Sequence, residues 1–374
     1  MKRGYISGFI SMLLLLRGIE ANAGVYSGGS GTAGDPYRIS SVADWTELRT
    51  NSADWNWGKN FILTTDLDFE GATLTPVGTN DAACRFLGSF NGQGHVLRNA
   101  SVSKPGGIYV GVFGFVHGGI RNLGVENISV TGSYYVGILV GCLEEGAITN
   151  SYAEGTVSGG PYTGGLVGGA QSSSSMGSMI IDSHAKGSVT GSWHGAGGLV
   201  GFMDGCQISN SYAECSVTGD DGVGGLVGQV YANNVRGLIM ASYATGSVSG
   251  KNDVGGLVGL FYPNSKAGLI ADAFASGSVS GQTARVGGLV GYLNAGTVTV
   301  AYATGRVAGW NAGTTYIGGL VGQRESNAVV TASYWDVETS GQASSEGGEG
   351  RTTDDMTYPY ATNTYEEWEF NAVW

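Results

Sequence analysis

The chain has 374 residues, of which 68 are Gly and 6 are Pro, and its charged share of 13% is about half the ~25% usual in soluble domains. Gly at this level without a G-X-Y period excludes collagen, and a hydrophobic share of 42% in a chain this long suffices for a large core, which argues against disorder. With 30 acidic against 18 basic side chains the net charge is −12, which repels phosphate backbones and makes nucleic acid a poor partner.

Residues 1–23 read as a secretory signal peptide. Lys2 and Arg3 form a positive start, Phe9 to Leu16 a short apolar stretch, and Ala21-Asn22-Ala23 an A-x-A cleavage site before Gly24. The stretch is too short to span a bilayer, and no later segment reaches 18 consecutive apolar residues, so the mature chain is expected to be secreted or held at the cell surface without a transmembrane segment. Residues 24–110 are expected to form an N-terminal cap and lead-in coils. Ser41 is a candidate N-cap, and Val42, Trp45 and Leu48 follow at i, i+3, i+6, which predicts a capping helix. Strand-like runs follow at 61–69, with Asp66, Asp68 and Glu70 alternating outward, and at 86–102.

Residues 111–341 are built on an internal repeat. The block Gly164-Gly165-Leu166-Val167-Gly168 recurs from Gly197, Gly224, Gly255, Gly287 and Gly318, with a variant from Gly137, at intervals of 27, 33, 27, 31, 32 and 31 residues. Between the blocks runs Ser151-Tyr152-Ala153-Glu154-Gly155-Thr156-Val157-Ser158-Gly159, repeated from Ser183, Ser211, Ser242, Ala273, Ala301 and, degraded, Ser333. These runs are rich in Val, Ser, Thr, Tyr and Gly, which favour strands and turns over helix interiors, so ankyrin and tetratricopeptide units do not fit. No L-x-x-L-x-L frame is present. The predicted fold is all-β: a right-handed parallel β-helix with one coil per repeat and strands stacked at about 4.8 Å.

Period-two alternation sends Ala153, Gly155 and Val157 to the core and Tyr152, Glu154, Thr156 and Ser158 outward. Leu166 and Val167 are adjacent and cannot both point inward from a flat strand. Their block is expected at a bend, with Gly164, Gly165 and Gly168 supplying backbone freedom. In successive coils Tyr152, His184, Tyr212, Tyr243, Phe274, Tyr302 and Tyr334 fall in one column, beside Thr156/Ser158, Ser188/Thr190, Ser216/Thr218, Ser247/Ser249 and Ser278/Ser280. Facing outward, these form a wall of rings and hydroxyls suited to an extracellular glycan or protein surface, with Tyr152, Tyr212, Tyr243, Tyr302, Thr156, Ser188, Thr218 and Ser247 as binding candidates. Two other readings stand beside it: a ladder that only stabilises stacking, and an ice-binding array, which Arg306 and Ala308 interrupt.

Residues 342–357 read as a polar, flexible segment, followed by an aromatic tail to Trp374. The GGLVG blocks in register with their SYAxGxVSG partners, the start GSGTAGDPYRI, the FxLxxDLDF run and the end SYWDVETSG…GEGRTTDDM together resemble bacterial secreted proteins carrying GLUG motifs, over nearly all of the mature chain. The resemblance implies a β-helix in an adhesin-like, surface or secreted setting. The motif also occurs in the non-catalytic part of IgA-specific metallopeptidases, but this chain has no H-E-x-x-H, so zinc peptidase chemistry does not carry over. Related chains tend to continue past the Glu369–Trp374 end with another apolar strand, so the chain reads as part of a larger polypeptide.

Parallel β-helices also host polysaccharide lyases and hydrolases, which use Ca²⁺-binding carboxylates with a basic residue, or paired carboxylates. Asp66, Asp68, Glu70, Asp220 and Asp221 are the candidate acids, without visible convergence. His95, His117, His184 and His194 show no ligand spacing, so neither a metal nor a cofactor is expected. Four cysteines, Cys84, Cys142, Cys206 and Cys215, allow three pairings. For Cys206 and Cys215 a local bridge and buried thiols are equal alternatives. The reading is a non-enzymatic binding scaffold, with a lyase or hydrolase as the alternative.

Overall fold

The computed structural model describes residues 24–56, 58–81, 85–310, 315–365 and 368. The expected signal peptide at 1–23, Cys84 and the end at 369–374 lie outside these. The chain winds into a parallel β-solenoid in which every interstrand ladder joins one coil to the next. One complete coil runs through strands Tyr212–Thr218, Asp221–Gly224, Val227–Tyr231 and Gly237–Ala244. The Val227–Tyr231 strand and its equivalents make an eight-stranded sheet, and the remaining strands pair into a second, larger sheet around it.

Identical residues stack because the register repeats. Leu166, Leu199, Leu226, Leu257, Leu289 and Leu320 form one fully buried column, and Val167, Val200, Val227, Val258, Val290 and Val321 form another. On the opposite wall, Ala153, Ala185, Ala213, Ala244, Ala275 and Ala303 are buried too. The small side chains there let that wall approach the leucine corner: the Cβ of Ala244 lies 2.8 Å from the point a Cβ on Gly225 would occupy.

The chain does bend at each GGLVG block, between strands such as Thr163–Gly164 and Val167–Gln171, so Leu166 and Val167 both reach the core. The glycines there serve a different purpose from the expected one. None of Gly164, Gly165 and Gly168 has a left-handed backbone. A Cβ on Gly165, Gly198, Gly225, Gly256 or Gly288 would instead sit 2.0–2.1 Å from the carbonyl oxygen of the matching glycine in the next coil. At this corner the glycines permit close approach along the solenoid axis.

Left-handed geometry falls elsewhere. Asn122, Asn150, Asp182, Asn210, Ala241, Asp272, Val300 and Ala332 have φ between 44° and 53°, a column in which Asn and Asp carry little strain. The residue after most of them is the buried Ser of the SYA element. The Ser151, Ser183, Ser211 and Ser242 hydroxyls each donate to the carbonyl two residues back, at 2.7–2.9 Å. Each accepts from a backbone N–H of the preceding coil, at 3.2–3.3 Å. This ladder satisfies buried donors at the corner where the left-handed residue interrupts sheet pairing.

Both ends are covered. A helix at Val42–Thr50 is N-capped by Ser41 and lays Trp45 against Phe69, Phe90 and Phe113, at 5.8–6.0 Å between ring centroids. Val42 is exposed, so only Trp45 and Leu48 of the expected apolar face are buried. At the other end the expected flexible segment is laid across the last coil. Glu349–Arg351 pairs with 334–336, and the Ser345 hydroxyl accepts from the Leu320 and Val321 N–H groups at the open sheet edge.

Candidate functional site

The tyrosine column and the hydroxyl columns lie on one face, along strands such as Tyr152–Gly159, His184–Gly191 and Tyr212–Thr218. In-register pairing aligns Tyr152 with His184 and Tyr212, and Thr156 with Ser188 and Ser216. The rings stack face to face along the axis. Centroids are 5.0 Å apart from Tyr152 to His184, 4.6 Å to Tyr212, 4.8 Å to Tyr243, 4.7 Å to Phe274 and 5.0 Å to Tyr302, with interplanar angles of 1–7°. These spacings match the strand repeat. Each inner ring is therefore sandwiched, and what the stack offers to solvent is ring edges and phenolic oxygens. Tyr334 pairs in register with Tyr302, but it is buried against Tyr365 and Trp368.

Burial and the Lys186 charge lower the His184 pKa, keeping a neutral ring in the stack. Burial and the Glu126 carboxylate, which accepts from the Tyr152 hydroxyl at 2.6 Å, hold Tyr152 protonated.

The hydroxyl columns form the outward part of the face. Thr156, Ser158, Thr190, Ser216, Thr218, Ser247 and Ser278 are exposed, and Ser188 is half-buried. Some bond along the column: Thr156 donates to Ser129 at 3.2 Å and Ser247 to Ser216 at 3.3 Å. Between rings and hydroxyls runs a column the sequence reading passed over. It begins charged, with Arg98, Glu126, Glu154, Lys186 and Glu214 in register. It continues as Thr245, Ser276 and Thr304, so this column is charged toward the N-terminus and neutral toward the C-terminus.

A second aromatic series lies across the bend. Tyr109, Tyr135, Tyr162, Phe202, Tyr231 and Tyr262 follow one another at 4.5–5.7 Å between centroids, tilted by 14–48°. The first three sit two residues before a GG-type block in left-handed conformation, as do Asp253, Arg285 and Tyr316. Burial pushes the Asp253 carboxyl up to about 7, against the pull of Arg285, whose Nε lies 2.5 Å away. A Tyr directly before Val-Gly or Thr-Gly was the available signal for Tyr109, Tyr135 and Tyr162, missed because it falls between the two elements that define the repeat.

Asp66, Asp68, Asp220 and Asp221 are each held by a neighbouring basic side chain, and Asp66 and Asp68 share Arg98, at 3.8 and 3.3 Å. The hydrogen bond from His95 holds Asp66 below the usual carboxylate range, and the Glu70 backbone N–H, with Asn99 and Arg98, does the same for Asp68. Asp220 is bonded to Lys251 at 2.6 Å and to the Trp193 N–H, and Asp221 to His194 at 3.1 Å. Among the described residues no three His, Cys, Asp or Glu side chains are arranged to hold a metal ion. Cys142, Cys206 and Cys215 are free and buried, which decides between bridge and thiol for Cys206 and Cys215. No helix among the described residues is long and apolar enough to cross a membrane.

Coil-to-coil parallel pairing, repeated Gly corners and stacked side-chain columns define the class: a parallel β-solenoid repeat protein. Within it, residues 132–158 match the GLUG motif. Over 175 residues, 43% of its length, the chain is 34% identical to halomucin of Haloquadratum walsbyi, and over 141 residues, 35% of its length, 32% identical to a "putative Gly-rich membrane protein" of Evansella cellulosilytica. It spans 2% and 15% of those two proteins. The crystal structure of a "putative immunoglobulin A1 protease" from Bacteroides ovatus shares the fold, with a TM-score of 0.50 at 20% identity over 88% of each chain.

Proposed function

We propose that the chain is a non-enzymatic β-solenoid scaffold, secreted or surface-exposed, that binds an extracellular glycan or protein surface along the hydroxyl face. The observation that carries this reading is the row of exposed Thr and Ser hydroxyls at strand spacing beside a rigid ring stack. Thr156, Ser188, Thr218 and Ser247 present donors and acceptors in fixed order, while Tyr152, Tyr212, Tyr243 and Tyr302 contribute edges and phenolic oxygens rather than ring faces. Hydroxyl pairs held by a sheet lose little entropy when a partner bonds them, which favours binding by a preformed surface. The surface setting is supported by the likeness to halomucin and to a Gly-rich protein named for a membrane. The non-enzymatic part is supported by the engagement of Asp66, Asp68 and Asp220 with His95, Asn99, Arg98 and Lys251.

The test is a glycan array probed with residues 24–374, with and without Ca²⁺, alongside the Thr156→Val/Thr218→Val and Tyr212→Ala variants. Binding that weakens in the variants without new reducing or unsaturated ends supports the reading. Turnover of a bound glycan, or binding indifferent to every substitution on this face, overturns it.

A further inference from the structure

The face described above is flat, whereas the C-terminal end of the solenoid is concave. A cavity of about 700 Å³ opens between the last coils and the tail folded back over them, within the ~300–1,000 Å³ range of small-ligand sites. Tyr302, the last ring of the parallel stack, forms one wall, with Trp368 at 6.0 Å and tilted by 38°. Tyr360, about two-fifths exposed, stands at the rim. The polar part consists of threonine hydroxyls, Thr304 and Thr353 among them, and the Asp336 carboxylate.

Asp336 is 3% exposed and accepts three bonds: the Glu338 and Thr339 N–H groups at 2.9 and 3.0 Å, and the Thr353 hydroxyl at 2.8 Å. A carboxylate offers about four acceptor sites, so one remains for a ligand hydroxyl, with Thr353 beside it as a second partner. No Lys, Arg or His lines the cavity among the described residues.

The geometry points to this C-terminal cavity as the binding site for a neutral saccharide. A sugar ring has apolar C–H groups to meet the aromatic lining and vicinal hydroxyls for a carboxylate–threonine pair. An anionic sugar would meet Asp336 without a compensating cation. A quaternary ammonium would suit the rings, but it has nothing to give the threonines, and Asp336 already holds three donors. The inference rests on the reading that this chain binds an extracellular glycan, and it adds to the hydroxyl face a second, concave contact that holds a small saccharide.

Titration calorimetry on residues 24–374 tests it, using methyl glucoside, methyl mannoside, methyl galactoside, N-acetylglucosamine and their β-1,4-linked disaccharides, with glucuronate and choline as comparators. At least one neutral saccharide is expected to bind. Tyr360→Ala and Thr353→Val should weaken it roughly tenfold, the scale of one lost hydrogen bond to a charge-linked group. Thr353→Ser should restore it, with circular dichroism confirming the fold of each variant. Binding lost only in Thr156→Val/Thr218→Val overturns the cavity and leaves the flat face standing. No saccharide bound, or preference for choline or glucuronate, overturns the inference outright.

Discussion

The two ends of the solenoid face the same problem, an open coil with exposed core and unpaired strand edges, and solve it by different physics. At the N-terminus an apolar plug is inserted: Trp45 is 1% exposed among Phe69, Phe90 and Phe113. A hydrogen-bonded frame holds this helix in place, with Asp44 accepting from the Ser27, Ser40 and Ser41 hydroxyls and the Ser40 N–H at 2.8–3.1 Å. At the C-terminus the cover is mixed: the Ser345 hydroxyl meets the sheet edge and Gln342 reaches the Val307 carbonyl, while Met356 and Trp368 pack on Tyr334. The helix seats Trp45 and Leu48 in the main core, whereas the C-terminal cover, held by hydrogen bonds and a separate aromatic cluster, leaves a cavity beside the coil it closes.

The contrast can be broken, and the largest expected effect comes from the plug. Trp45→Ala should cost about 3–5 kcal/mol locally, the usual loss for a buried aromatic. Hydrogen exchange should rise in coils near residues 61–113 and stay unchanged beyond residue 300; uniform loss of protection would show that the end does not act as a local unit.

A smaller effect comes from acid. Burial pushes the Asp44 carboxyl up, but the bonds from Ser40, Ser27 and Ser41 outweigh this, so its folded pKa lies below the ordinary 3.8. Its stabilisation is therefore complete above pH 3.8 and is lost as pH falls through the folded value. Protection of the Val42–Thr50 helix should drop below that pH in the native chain. Asp44→Asn should be destabilised at neutral pH by roughly 1–2 kcal/mol and show a flatter acid profile. An unchanged profile would mean that Asp44 does not control the cap.

At the other end, Ser345→Ala removes one acceptor from the Leu320 and Val321 N–H groups and should cost about 1–2 kcal/mol. Exchange should speed up in the Val321–Arg324 strand alone, sharpening the difference between plug and cover. Smallest of all, Thr218→Val on the exposed face should move the thermal midpoint by less than the equivalent of about 0.5 kcal/mol. A larger shift would mean the hydroxyl column stabilises the stack.

Much of this was legible because a repeat reads the same rule many times. The inward Ala and Val of the SYAxGxV element, the bend at Leu166-Val167 and the in-register tyrosines all follow from alternation and periodicity, and the structure has them so. Legibility failed where one residue serves two constraints. The corner glycines read as flexible but are excluded from bearing a Cβ by the neighbouring coil. The Asn or Asp before the SYA serine drew no reading from the sequence, yet the pair combines a left-handed residue with a buried hydroxyl serving the preceding coil's N–H. Residues 342–357 read as flexible because their composition is polar, and only the open edge at Leu320 and Val321 reveals what the polar groups bond.

By itself, then, the sequence determined the class of fold, the coil length and which faces point inward, since periodic apolar burial dominates folding and is written in the residue order. The tertiary structure alone decided that the tyrosine rings cover one another's faces, that a second aromatic series crosses the bend, and that the tail encloses a cavity beside Tyr302. Those outcomes depend on the distance and angle between coils, which arise only when separate turns of the chain are brought within one strand spacing of each other.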